Sequence, residues 1–369
     1  MAGGRVSFGR MFITRLGLGV GLLVATAPAA AGDAEVGRWE QHRTGAERAY
    51  RQGAYAVAEQ MYAEAVREAE RFESGDSRLA TSLDGLGTVA SALGKYRTAE
   101  SLHRRALALR ESPPTPDPLA VAESLHNLGE LATILAKYDE AESWLRRAFA
   151  IRERALGPDH PDVAATLHGL GELALEQERY PEAERLLRRA LAIREATRSA
   201  EADVAATLHA LAELELAQEK YNRAEPPLQR SLAIREATLG RDHPDTAASL
   251  HTLGELYLEQ KRYVKAEPPL RRALVIRERA LGGNHADTGA TLHALAELAA
   301  AQGKTAEADA LFRRSLSIRE VALGPEHPDV AASLESYASF LRDTGRPEPA
   351  AAFERRAASI RARYERRAR

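Results

Sequence analysis

The chain has 369 residues, enough for two or three ordinary domains or one long repeat array. Hydrophobic residues make up 44% and aromatics 5%, with Ala, Leu, Arg and Glu dominant, so the composition favours helices and can still bury a core. A formal net charge of -2 leaves no electrostatic footprint for nucleic acid, and the lack of cysteine excludes disulfides, thiolate chemistry and Cys-ligated zinc.

Residues 1–31 read as a secretory leader. Arg5, Arg10 and Arg15 are followed by the apolar run 16–27 and then by Pro28-Ala29-Ala30-Ala31-Gly32. A positive start, a short apolar stretch and a small-residue site are the marks of a cleaved signal. Cleavage is expected after Ala31, or alternatively after Ala29. The run is shorter than the roughly 20 residues a spanning helix needs, which sets the retained anchor below the cleaved leader. An exported protein, periplasmic or secreted, is therefore expected.

The rest, 32–369, is periodic. Leu83, Leu125, Leu167, Leu208, Leu250, Leu292 and Leu334 recur every 42 residues, with one interval of 41. A weaker copy precedes them, where Tyr55 and Ala58 match Tyr96 and Ala99. About eight units follow, at approximately 37–76, 77–118, 119–160, 161–201, 202–243, 244–285, 286–327 and 328–364. Such a period identifies a repeat architecture.

Each unit reads as two helices. In the third, Leu125, Leu128, Ala132 and Leu135 give helix A an apolar stripe, Lys137-Tyr138-Asp139 marks the turn, and Ala141, Leu145, Ala148 and Ile151 give helix B its own. Gly157 fits a left-handed C-terminal cap, Pro161 the first turn of the next helix, and Asp162 the positive end of its dipole. Gly129, Gly171 and Gly254 stand in mid-helix A, where Gly costs about 1 kcal/mol against Ala, so close helix–helix approach is expected to compensate. Pro226-Pro227 and Pro268-Pro269 fall inside helix B and predict a kink or a late helix start.

Units such as Ala-Leu-Gly-Pro-Asp-His-Pro-Asp-Val-Ala (155–164), Leu-His-Gly-Leu-Gly-Glu-Leu (167–173), Arg-Tyr-Pro-Glu-Ala-Glu (179–184) and Arg-Ala-Leu-Ala-Ile-Arg-Glu (189–195) resemble the tetratricopeptide repeat, in the 42-residue variety of kinesin light chains and many bacterial proteins. The resemblance covers all eight units. It implies an all-α fold, a right-handed superhelix of helix–turn–helix repeats whose A helices line a concave, peptide-binding surface. The chain departs from the light chains in three ways. No heptad coiled coil precedes the array, a leader is at odds with a cytosolic motor, and His stands in five units where Asn is usual, so cargo contacts do not carry over.

A polar stripe recurs on helix A, and by the resemblance it faces the groove. It comprises His126 and Glu130 with Thr133 and Lys137; His168, Glu172, Leu175 and Arg179; His209, Glu213, Leu216 and Lys220; His251, Glu255, Leu258 and Arg262; and His293 and Glu297 with Ala300 and Lys304. Spacings of four, three and four keep each set on one face, opposite the apolar stripe. The leucines among charges suit a docked peptide. The same His/Glu pairs could instead only brace their helices, or form a ligand- or metal-binding ladder, although two donors per helix are too few for zinc.

No catalytic, cofactor or metal residue is assigned. His160-Pro161-Asp162, His243-Pro244-Asp245 and His327-Pro328-Asp329 recur with the repeat and read as loop and cap chemistry. Gly303-Lys304-Thr305 lacks the upstream Gly of a phosphate loop, since Leu298 occupies that place. The expected function is a non-catalytic scaffold for a protein or peptide partner, or an accessory subunit of a separately encoded enzyme. Arg355, Arg356, Arg361, Arg363, Arg366, Arg367 and Arg369 make the last helix basic. They read as a polar end cap, with an anionic membrane surface as the lesser alternative.

Overall fold

A computed structural model describes residues 33–73, 76–112 and 117–367. The expected leader and its cleavage point lie outside these. Among the described residues the chain is all-α, with sixteen helices and no strand. They are Asp33–Arg51 (α1), Tyr55–Ala69 (α2), Ser77–Ala92 (α3), Tyr96–Glu111 (α4), Pro118–Ile134 (α5), Tyr138–Leu156 (α6), Pro161–Glu176 (α7), Tyr180–Ala196 (α8), Glu201–Ala217 (α9), Tyr221–Thr238 (α10), Pro244–Glu259 (α11), Tyr263–Leu281 (α12), Ala286–Ala301 (α13), Thr305–Leu323 (α14), Pro328–Asp343 (α15) and Pro347–Arg367 (α16). Odd-numbered helices are the A helices and even-numbered ones the B helices.

Two compact units divide the chain, and the boundary runs through α9 and α10. In the N-terminal unit, described residues up to Leu214 plus 233–243, α1/α2, α3/α4, α5/α6 and α7/α8 pair as hairpins. There α2, α4 and α6 each pack on the A helix that follows. In the C-terminal unit, 215–232 plus Pro244 onward, α11/α12, α13/α14 and α15/α16 do the same.

The hairpins close where small residues meet large ones. A Cβ added at Gly129 would stand 2.5 Å from Leu145 Cγ, one at Gly171 2.7 Å from Leu187 Cγ, and one at Gly254 would crowd Leu270 Cγ in the same way. The approach expected from the repeated glycines is thus present, and each facing leucine is buried. Removing such a side chain from water is worth about 2–3 kcal/mol, which offsets the helix cost of the glycine.

Chain reversals follow two rules. From A to B, the N–H of the residue after the turn reaches back five residues, as in Lys137 N to Ala132 O at 2.8 Å and Arg179 N to Ala174 O at 2.8 Å. This bond closes a Schellman end around one residue of positive φ. Gly53, Gly94, Gly303 and Gly345 fill that place in four hairpins, but Ala136, Glu178, Glu219 and Lys261 adopt φ of 54–60° in the others. From B to A, Gly157 has φ 88° and ψ 164°, with Gly282 and Gly324 close to it. This corrects the left-handed helical cap expected there: the conformation is extended with positive φ, a region open essentially to Gly alone.

The A helices are then capped by side chains. Asp117 Oδ1 accepts from Leu119 N at 2.9 Å, and the Nδ1 atoms of His160, His285 and His327 accept from the N–H two residues on at 3.1–3.2 Å. The repeated His-Pro-Asp is therefore cap chemistry. The proline pairs delay nothing, since α10 and α12 start at Tyr221 and Tyr263 and run through Pro226-Pro227 and Pro268-Pro269.

Candidate functional site

The repeating stripe on the A helices pairs within each helix. Nε2 of His126, His209, His251 and His293 lies 3.1 Å from Oε1 of Glu130, Glu213, Glu255 and Glu297 respectively, and His168 Nε2 lies 2.9 Å from Glu172 Oε1. These pairs are withdrawn from solvent. His168 is 1% exposed, and His126, Glu130, Glu172, His209, Glu213, His251 and His293 are buried with it. Glu255 and Glu297 are partly buried.

The placement corrects the expectation of a polar face opposite the apolar stripe, because α5, α7, α11 and α13 are buried over most of their circumference. Small residues on the following A helix permit it. The missing Cβ of Gly169 on α7 would sit 3.6 Å from His126 and 3.8 Å from Glu130 on α5. Leu175 and Leu258 are buried, and Leu216 is half-buried.

The basic members stand at the helix ends, where Arg179 and Arg262 each bind an acid of the preceding hairpin and Arg179 also binds one of its own. Arg179 pairs with Glu142 at 3.3 Å and with Glu182 at 3.0 Å, and Arg262 pairs with Glu225 at 3.4 Å. Lys220 donates to Gln218 at 2.5 Å.

Facing the ladder is a row that sequence reasoning missed. Arg110, Arg152, Arg194, Arg235, Arg277 and Arg319 follow the repeat and are all buried. Each of these B helices thus ends in a guanidinium turned inward. Arg152 Nη1 donates to Asp162 O at 3.2 Å and Thr166 Oγ1 at 2.8 Å. Arg277 Nη1 donates to Asp287 O at 3.0 Å and Thr291 Oγ1 at 2.6 Å. Arg194 binds Asp203 O and Thr207 alike, and Arg319 donates to Ser333 Oγ at 2.6 Å. Every bond ties a B helix to the first turns of the next A helix. A signal was available: Arg152 continues the stripe Ala141, Leu145, Ala148 at the next interval of four.

Burial and charge set the protonation states. Burial, helped by Arg194, pushes His168 down to about 3. Burial and the neighbouring Glu130 and Glu213 carboxyls raise Glu172 well above the usual carboxylate range. His168 is therefore neutral at pH 7, and Glu172 holds its proton to higher pH than an ordinary carboxyl does. In the C-terminal unit, burial lowers His251, while His251, Arg277 and Arg319 outweigh burial at Glu255 and hold it below the ordinary value. Burial also brings Arg319 down to about 10.

The second hairpin breaks the pattern. Asp84 stands where the later units have His, and His103 where they have Leu145 or Leu187. Asp84 Oδ1 lies 2.7 Å from His103 Nδ1, its Oδ2 accepts from Ser124 Oγ at 2.6 Å, and Arg110 pairs with the same carboxylate. Glu123 lies 3.1 Å from Arg110 Nη2. In the last hairpin, Glu335 likewise replaces His and receives Arg361 at 2.5 and 2.6 Å.

Among the described residues, no group of three or more His, Asp or Glu side chains is placed to hold a metal ion, and no helix is long and apolar enough to cross a membrane. The described part of the basic last helix carries three ion pairs. Arg356 pairs with Glu320, Arg361 with Glu335, and Arg363 with Glu326.

Comparison with known proteins agrees with this architecture. The tetratricopeptide-repeat model matches residues 46–112, 120–196, 203–279, 270–320 and 287–363. No curated protein matches the chain. Among solved structures, the Rap conjugation gene regulator of plasmid pLS20, in complex with the Phr* peptide, is 11% identical. Its TM-score is 0.63 over 90% of this chain and 95% of its own. Aspartyl phosphate phosphatase F from Bacillus subtilis is 12% identical, with a TM-score of 0.57 over 91% of this chain and 96% of its own. A putative kinesin light chain of Podosopora anserina with nearly identical TPR-like repeats is 27% identical, with a TM-score of 0.43 over 56% of this chain and 98% of its own. At such identities the Rap and phosphatase structures speak for the fold alone.

Proposed function

The chain belongs to the tetratricopeptide-repeat family, and from that membership we propose that it is a non-catalytic scaffold holding peptide segments of a partner protein. The observation carrying this reading is the run of stacked hairpins, matched by the family model from residue 46 to 363. Stacked repeats bury each other's apolar sides and offer long surfaces for recognition rather than a single reactive cleft. The structure of a similarly folded regulator is of its complex with a peptide, which supports the same class of ligand.

The groove-facing candidates nearest solvent are the ones to test. They are Glu255 and Glu297, which are partly buried, with Leu216, Arg179, Lys220 and Arg262 at the helix ends. Crosslinking in cells, followed by partner identification, is expected to recover one or a few proteins. Recovery should fall in Lys220→Glu/Arg262→Glu, at the helix ends and outside the buried His/Glu pairs, while the circular dichroism melt is largely retained. Undiminished recovery from that folded variant would remove the groove from the proposal.

Export is part of the same reading. It is supported by Arg5, Arg10 and Arg15, the apolar run 16–27 and Ala29-Ala30-Ala31. N-terminal sequencing of the protein purified from its native cells is expected to start at Gly32 or Ala30. A chain that still begins at residue 1 or 2 would end the cleaved-leader reading.

A further inference from the structure

The outer face of α12 departs from the repeat at positions that packing does not govern. Val264 is 87% exposed and Val275 64%. Between them Pro268 is exposed too. At 100° per residue these three share one arc, and at 1.5 Å per residue the valines stand about 16 Å apart along the axis. The corresponding positions of α6 and α8 hold Asp139 and Pro181 for Val264, and Ala150 and Ala192 for Val275. No valine is needed there to build a hairpin.

Cations flank the stripe. Lys261, Lys265, Arg271 and Arg279 are exposed on α12 and its leading turn, whereas its acids Glu267 and Glu278 are half-buried and engaged by Arg271 and Arg314. Arg271 is engaged by Glu267 at 2.7 Å and Glu307 at 3.4 Å. Lys261, Lys265 and Arg279 form no ion pair among the described residues. On α16, by comparison, Arg356, Arg361 and Arg363 are each answered by a glutamate. Free positive charge therefore lies beside the exposed valines on α12. On α14, Val321 adds a further apolar side chain at 77% exposure.

We propose that the α12 face docks on a bilayer surface rich in acidic headgroups. Unneutralised cations call for an anionic partner, and apolar side chains between them call for one with an apolar layer just beneath its charge. The valines stand on the crest of a helix rather than in a trough, so a soft interface can enclose them, whereas an extended peptide needs a groove. The anchor is modest and reversible. It neither requires nor uses the His/Glu ladder and stands independently of the peptide-scaffold reading.

Vesicle flotation of the full chain tests this, comparing phosphatidylcholine alone with phosphatidylcholine containing phosphatidylglycerol. The variants are Val264→Asp/Val275→Asp, Lys261→Glu/Lys265→Glu/Arg279→Glu, and the control Arg185→Glu/Arg188→Glu on α8. Comparing each variant with its parent cancels any contribution of residues 16–27. Binding to the acidic vesicles alone is expected, with a loss of roughly tenfold or more in either α12 variant and little change in the control. Three results would overturn it: no preference for acidic vesicles, equal loss in the α8 control, or loss on charge reversal but none with the valines replaced. Capture of an acidic protein through these residues, with no vesicle binding, would likewise replace the bilayer by a protein.

Discussion

Hairpins α3/α4 and α7/α8 stand two repeats apart in one unit and bury the same kind of guanidinium in different company. In both, a helix B arginine reaches the first turn of the next A helix: Arg110 binds Ala120 O and Ser124, and Arg194 binds Asp203 O and Thr207. In α3/α4 the arginine also meets Asp84, whose other oxygen faces His103. In α7/α8 the matching residues are His168 and Leu187, and no carboxylate lies within ion-pair distance of Arg194 among the described residues. The two solutions are coupled substitutions. In α3/α4 an acid on helix A goes with a histidine on helix B, and in α7/α8 a neutral histidine on helix A goes with a leucine. The position that sequence reasoning treated as a groove contact thus decides how each hairpin compensates its buried arginine.

The largest effect is expected from breaking the first solution. Asp84→Asn leaves Arg110 without its closest carboxylate and His103 without its partner. Breaking a buried pair from one side costs about 3–5 kcal/mol. Urea unfolding followed by circular dichroism should show this as a lowered midpoint. Asp84→His/His103→Leu rewrites α3/α4 in the manner of α7/α8 and is expected to recover most of the loss. A double variant as unstable as the single one would show that the two hairpins do not differ by a coupled exchange.

The second solution is expected to fail in acid. His168 sits at about 3 in the folded chain against 6.5 when unfolded. Its neutral form therefore supports the fold fully above pH 6.5. That support is lost as pH falls from 6.5 towards 3, because only the unfolded chain takes up the proton. The loss is on the order of a few kcal/mol, since each tenfold difference in proton affinity between the two states is worth about 1.4 kcal/mol. Glu172 works the other way: its raised value makes the unfolded chain shed a proton first as pH rises above 4.5, which lowers stability. Unfolding midpoints of His168→Gln should lose much of the parent's decline below pH 6.5. An unchanged decline would place the acid sensitivity elsewhere.

Much of this architecture was legible in the sequence, and the misses share a cause. The 42-residue spacing, the glycines facing Leu145 and Leu187, and the histidine caps follow from local periodicity and turn chemistry. Such patterns say which side chains share a helix face. They do not say how closely the next helix approaches. The His/Glu stripe looked solvent-facing because charged residues usually are, yet Gly169 lets α7 settle over His126 and Glu130. The arginine row was missed for the same reason: apolar periodicity counts Ala141, Leu145, Ala148 and Ile151 and passes over Arg152. The proline pairs misled because helix B already has its first turn in place before Pro226 and Pro268 are reached.

The smallest effect tests the turns of the same two hairpins. At the A-to-B reversal α3/α4 has Gly94 with φ 71°, and α7/α8 has Glu178 with φ 57°. Glu178 is exposed, so its replacement costs little packing. A side chain in the left-handed region costs about 1–2 kcal/mol, and glycine's extra freedom in the unfolded chain takes back about 0.4–1 kcal/mol. Glu178→Gly should therefore stabilise the array by about 0.5–1 kcal/mol, and Gly94→Ala should destabilise it by a similar amount. Both follow from thermal melts at neutral pH. If Glu178→Gly lowers the melting temperature, the glutamate contributes something beyond its backbone conformation, and the two turns are not interchangeable parts of one repeat.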